Sequence, residues 1–82
     1  MNLQFAIGDT LRDIRTEKQM TLRQVAYKSH VAIGYLSEVE RGQKSASGEI
    51  LEAICSGLSI STTELMGEIY EYLKEHDAEA QG

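Results

Sequence analysis

The sequence predicts an all-α domain of five short helices. The chain contains no proline, and four tyrosines and one phenylalanine are its only aromatic residues. Leu, Ile, Ala, Glu and Lys are common instead, a composition that favours helices over strands. Apolar residues recur at helical spacing in separate segments, and capping residues punctuate those segments. No strand pattern, internal repeat or low-complexity stretch competes with this reading. Eighty-two residues make a single domain over residues 1–82. A chain of that length buries a thin core, so dimerisation would add stability.

The first helix is expected over about residues 6–18, where Ile7, Leu11 and Ile14 fall on one face. Gly8 weakens its first turn slightly. Thr21 and Gln24 form a capping box for a second helix that ends near Ser29 and buries Leu22, Val25 and Ala26. A turn of Ser29, His30 and Val31 leads to a third helix over about residues 33–41, with Leu36 and Val39 inward and Gly42 as its stop. Ser47 caps a fourth helix that buries Ile50, Leu51, Ile54 and Cys55. Ser61 and Glu64 form a second capping box, opening a fifth helix over about residues 62–76; a frayed polar tail is expected over 77–82.

The net charge is −5, which on its face argues against a nucleic-acid partner, because phosphate contacts need Lys and Arg. The distribution answers that objection. Residues 1–48 carry seven positive and five negative side chains, while residues 49–82 carry Lys74 against eight carboxylates. The acid is concentrated in the second half, leaving the first free to meet DNA.

Residues 21–42 combine two short helices with a three-residue turn, and the second helix is rich in small and polar outward residues. These are the parts of a helix-turn-helix, whose second helix lies in the major groove. The wording of the segment is more specific than its spacing. Thr21-Leu22-Arg23-Gln24-Val25-Ala26, followed by Val31-Ala32-Ile33-Gly34-Tyr35-Leu36-Ser37-Glu38-Val39-Glu40-Arg41-Gly42, resembles the XRE family of Cro-like and phage-repressor-like regulators. Ile7 to Arg12, with Ile14 and Arg15, is similar to that family's first helix. The resemblance covers about residues 7–66, and the stretch from Gly34 to Lys44, followed by Ala46 and Ser47, resembles ClgR-like regulators, which activate genes for ATP-dependent Clp proteolysis.

The resemblance implies a five-helix, lambda-repressor-like fold, a homodimer and a near-palindromic operator in double-stranded DNA. Carried over by position, Ile33, Gly34, Ser37 and Glu38 face base edges. Ser37 can donate or accept, Glu38 can accept from a cytosine amino group, and Ile33 can touch a thymine methyl. Gly34 lets the backbone approach the groove. Glu38 has a rival reading as an ion-pair partner of Arg41 or Lys44. Arg23, Lys28, Arg41, Gln43 and Lys44 are the candidates for phosphate contacts; Tyr35 either joins them through its hydroxyl or packs at the core edge. The family pairs the positions of Arg15 and Glu40 in a buried ion pair tying the first helix to the third.

Three positions depart from the family pattern. Leu22 replaces a glutamine that touches the DNA backbone in many members, Ala32 replaces a Ser or Thr cap, and His30 replaces a turn glycine. Histidine is among the non-glycine residues that tolerate positive φ, so the turn survives.

In the fifth helix, Leu65 belongs to the domain core, and Met66, Ile69, Tyr72 and Leu73 extend the apolar stripe past it. They form either a dimer seam, the favoured reading, or a face folded back on the chain's own core; Leu3 and Phe5 could pad the same surface. An alternative function is an antitoxin-like or phage-encoded regulator whose acidic C-terminal half binds a protein partner.

Cys55 reads as a small core residue, with a redox sensor as the alternative, and one cysteine by itself makes neither an internal disulfide nor a metal site. His30 and His76 lack ligand companions at metal spacing. No phosphate loop and no nucleophile with a base and an orienter is present, so no enzyme, cofactor or metal is expected. No apolar run approaches the roughly 18 residues of a membrane span, and no leader pattern opens the chain. A cytoplasmic protein without a membrane role is therefore expected.

Overall fold

The computed structural model describes residues 2–81, with side chains as far as His76. Five helices follow one another: α1 (Leu3–Glu17), α2 (Leu22–Ser29), α3 (Ile33–Glu40), α4 (Gly48–Leu58) and α5 (Thr62–Gln81). No strand occurs among the described residues.

Each expected cap is formed. Thr21 Oγ1 accepts from the Gln24 backbone N–H at 3.0 Å, and the Thr21 N–H donates back to Gln24 Oε1 at 2.8 Å. The Ser61 and Glu64 pair does the same at α5, and Ser47 Oγ accepts from the Ile50 N–H at 3.2 Å. His30 adopts the left-handed conformation at φ 58° and ψ 37°, closing α2 as the turn requires.

Two boundaries differ from expectation. α1 starts at Leu3 because Asn2 Oδ1 accepts from the Gln4 N–H at 2.7 Å, a cap not foreseen. α5 continues to Gln81 where a frayed tail was expected. Ala, Glu and Gln in this stretch are good helix formers, and neither Pro nor Gly interrupts it before Gln81. Gly82 and the side chains beyond His76 lie outside the described residues.

One core joins all five helices: Leu11 and Ile14 of α1, Val25 and Ala26 of α2, Leu36 and Val39 of α3, Ile54, Cys55 and Leu58 of α4, and Leu65 and Ile69 of α5. Ile7, Leu22, Ile50 and Leu51, expected in the core, are partly buried at its margin. Cys55 is buried and free, and burial pushes its thiol up from the ordinary range.

Gly8 is more than a weak point in α1. A Cβ there would lie 2.6 Å from the Glu40 carbonyl oxygen and would also strike that of Val39. Its missing side chain is what lets α1 approach the end of α3. Gly57 serves α4 in the same way against Ser29 of α2.

Candidate nucleic-acid interface

The helix-turn-helix is built by α2, the His30 turn and α3. Leu36 and Val39 plant α3 on the core, so the opposite side of the helix faces outward. Ile33 is 42% exposed, Gly34 is open with no atom within 4 Å of a built Cβ, and Ser37 and Glu38 are half-buried. The four proposed base readers thus lie on accessible turns of one helix. Ala32 supplies no side-chain hydrogen bond to the start of α3, as its methyl group dictates. Among the described residues Glu38 joins no ion pair, so its expected rival role with Arg41 or Lys44 is not realised here.

The place of α3 is secured by Arg15 and Glu40. Arg15 Nε donates to Glu40 Oε2 at 2.8 Å and Nη2 to Oε1 at 3.0 Å, a two-pronged pair that is 15% and 7% exposed on its two sides. The remaining Nη1 donates to the Met20 carbonyl at 3.0 Å, tying down the α1–α2 loop as well. The hydrogen bonding of Arg15 to the Glu40 carboxylate raises the guanidinium's already high pKa further.

Arg23, Lys28, Arg41, Gln43 and Lys44 are all exposed. Lys28 sits in the last turn of α2, where a cation also offsets the negative end of the helix dipole. Arg41 Nε donates to the Ser37 carbonyl at 3.3 Å. Lys44 lines a different, largely apolar groove with Leu3, Ile7, Val39, Ser45 and Ala46.

Tyr35 packs at the margin of the core, the second of its two expected roles. Its hydroxyl donates to the Ser45 carbonyl at 2.7 Å. A phenol has one proton, and here it braces the α3–α4 loop instead of pointing to a phosphate.

The expected seam on α5 requires correction. Ile69 is only 6% exposed, and Leu73 packs on the core margin. Tyr72 turns toward α1, where its hydroxyl donates to Asp9 Oδ2 at 2.6 Å, and its ring stacks on His76 at 4.0 Å. These three residues thus fold back on the chain's own core, Tyr72 by reaching α1. Of the four expected seam residues, Met66 alone is well exposed, and Tyr70, one turn later, is exposed beside it. Leu3 and Phe5 also lie elsewhere: Leu3 lines the groove beside the α3–α4 loop, and the Phe5 ring covers Gly42.

A cleft that spacing did not reveal opens between α1, α2 and α3, lined by Arg12, Arg15, Leu22, Ser37, Glu40 and Arg41. Arg12 was not singled out by sequence reasoning. The available signal was its position three residues before Arg15, which puts both on one helix face.

Among the described residues no helix is long and apolar enough to cross a membrane, and no group of three His, Cys, Asp or Glu side chains is placed to hold a metal ion.

The geometry has close relatives. A family described as helix-turn-helix domain matches residues 6–66. The transcriptional regulator ClgR of Mycobacterium tuberculosis is 48% identical over 54 residues, which are 66% of this chain and 48% of that protein. The chain thus spans about half the length of this curated relative. The crystal structure of the clp gene regulator ClgR from Corynebacterium glutamicum superposes with a TM-score of 0.91 at 37% identity, covering 99% of this chain and 86% of that one. The restriction-modification controller protein C.Esp1396I, solved as a tetramer with its natural 35 base-pair operator, superposes with a TM-score of 0.85 at 29% identity, covering 89% and 96%.

Proposed function

The chain belongs to the XRE family of helix-turn-helix transcription regulators and is ClgR-like, and from that membership we propose that it binds a near-palindromic operator as a homodimer, with α3 in the major groove. The observation that carries the proposal is the outward face of α3. Ile33, Gly34, Ser37 and Glu38 are accessible on a helix whose other side is locked to the core and whose end is held by the Arg15–Glu40 pair. A groove-reading helix needs such rigidity, because base contacts carry discrimination only when they are placed accurately. Two copies of α3 about 34 Å apart would meet successive major grooves. Few long side chains reach from α3, so DNA shape and dimer spacing supply part of the specificity.

The dimer surface proposed here is the outer face of α5 around Met66 and Tyr70, with Gly67 between them offering close approach. Arg23, Arg41, Gln43 and Lys44 contact phosphates, with Lys28 as an outer member. About four phosphates per subunit give a log–log salt slope of roughly −7 for a dimer. Similarity to ClgR supports control of clp genes as the biological role, acting in the cytoplasm.

The test is selection of bound duplexes from random DNA, followed by gel shift with a double S37A and E38A variant and sizing by light scattering. Selected sites should show two related half-sites and should include sequence from clp promoters. The variant should remain a folded dimer and lose discrimination. Unchanged selectivity in that variant would remove the base-reading assignment. A wild-type chain that selects no duplex but retains a protein through its acidic half would favour the rival reading.

A further inference from the structure

The cleft between α1, α2 and α3 has a charge balance opposite to that of the chain. Its lining carries three arginines and one glutamate, in a molecule of net charge −5. The glutamate is already spent: both oxygens of Glu40 are taken by Arg15. Two guanidinium groups, Arg12 and Arg41, therefore remain, and among the described residues neither joins an ion pair. Asp9, one turn before Arg12 on α1, accepts a hydrogen bond from Tyr72 on the α5 side. Among the described residues Arg41 uses only Nε, on the Ser37 carbonyl. Ser37, a proposed base reader, forms part of the same lining, so the cleft opens where the groove-facing side of α3 meets α1.

Leu22 adds a chemical reason. It lines the cleft at the first position of α2. Its apolar side chain cannot hold a phosphate, and Arg12 on the neighbouring helix can. A planar guanidinium matches phosphate oxygens with two donors at once, and a DNA duplex carries one phosphate charge per about 1.7 Å of axis. We propose that Arg12 is a DNA-backbone contact, holding a phosphate oxyanion at the mouth of this cleft alongside Arg41. The inference rests on the proposed DNA-binding function and extends the interface from the helix-turn-helix to α1.

The experiment measures binding to a selected operator and to unrelated duplex over a series of salt concentrations, for wild type, R12A and R12K. R12A should weaken both duplexes in equal proportion, on the order of tenfold, because a phosphate contact carries no sequence information. Its salt slope should become shallower by about one unit per subunit, hence about two for a dimer, and R12K should restore most of that slope. Circular dichroism should show R12A folded as wild type. An unchanged salt slope in folded R12A, with wild type still binding its operator, overturns the role of Arg12 and leaves the proposed function standing. A wild-type chain that binds no duplex overturns both. Inorganic phosphate is added separately while the Arg12 Nε–H resonance is followed. A shift of that resonance by phosphate, together with an unchanged R12A slope on DNA, would mean a free anion occupies the cleft and would equally overturn the proposal.

Discussion

On one side of α1, Arg15 grips Glu40 of α3 through two short bonds, and Gly8 lets the α3 backbone close in. On the other side, Tyr72 of α5 reaches Asp9 through a single bond, and Ile69 and Leu73 add apolar contact. The first junction is directional: a two-pronged charged pair accepts few relative orientations of its helices. The second rests mainly on apolar burial, which is non-directional. The helix proposed to read DNA is thus held by the more exacting chemistry. The helix proposed to meet a second subunit is held by chemistry that tolerates small adjustment.

Breaking the directional junction has the largest expected effect. E40A strands the Arg15 charge in a half-buried site and should lower unfolding stability by about 3–5 kcal/mol, read from urea denaturation. A loss under about 1 kcal/mol would show that water already screens the pair.

The apolar junction is tested by two substitutions on α5. I69A should cost about 2–5 kcal/mol, since Ile69 is buried within a single chain. M66A should leave the stability of the isolated chain nearly unchanged and weaken self-association, measured by sedimentation. The reverse pattern would return the seam to Ile69.

The single polar bond of that junction is weaker. Y72F should cost about 0.5–1.5 kcal/mol. The hydrogen bond to Asp9, then burial and nearby negative charge, push the Tyr72 phenol up to about 12. A group whose folded value is raised stabilises fully below its unfolded value, near 10, and loses that contribution as pH rises through about 12. Wild type should therefore lose stability between these pH values more steeply than Y72F, as thermal unfolding at stepped pH would show. Parallel curves would mean the bond is not kept in solution.

The smallest effect is expected at the α2–α4 contact. Ser29 Oγ is buried against Gly57 without a hydrogen-bond partner. S29A removes an unsatisfied hydroxyl and should be neutral or stabilising by up to about 1 kcal/mol. A clear destabilisation would reveal a bond that forms in solution.

The parts of the fold legible in the sequence share a physical property: their causes lie within a few residues. Thr21 with Gln24, Ser61 with Glu64, Ser47, and the left-handed His30 all act on backbone groups one turn away. Their placement needs no knowledge of distant neighbours. The outward face of α3 was legible for a related reason, because Leu36 and Val39 at helical spacing define which side must be inside. The Arg15–Glu40 pair spans 25 residues, and only resemblance to a family, not periodicity, pointed to it.

What local spacing could not assign was the neighbour that each face meets. The stripe on α5 marks a side to be covered, yet the same stripe serves a second subunit or the chain's own α1. The packed structure gives Ile69 and Leu73 to the chain's own core and Tyr72 to α1, and leaves Met66 and Tyr70 outside. Gly8 reads locally as a helix weakness and becomes, in three dimensions, the point where α1 touches α3. Arg12 reads as one solvated cation and becomes part of a cleft with Ser37 and Arg41. The sequence alone determined the helices, their caps and the identity of the motif, since these follow from hydrogen bonds and spacing over a turn or two. Tertiary packing alone decided which side chains remained for partners, because it sets which faces and charges the chain satisfies for itself.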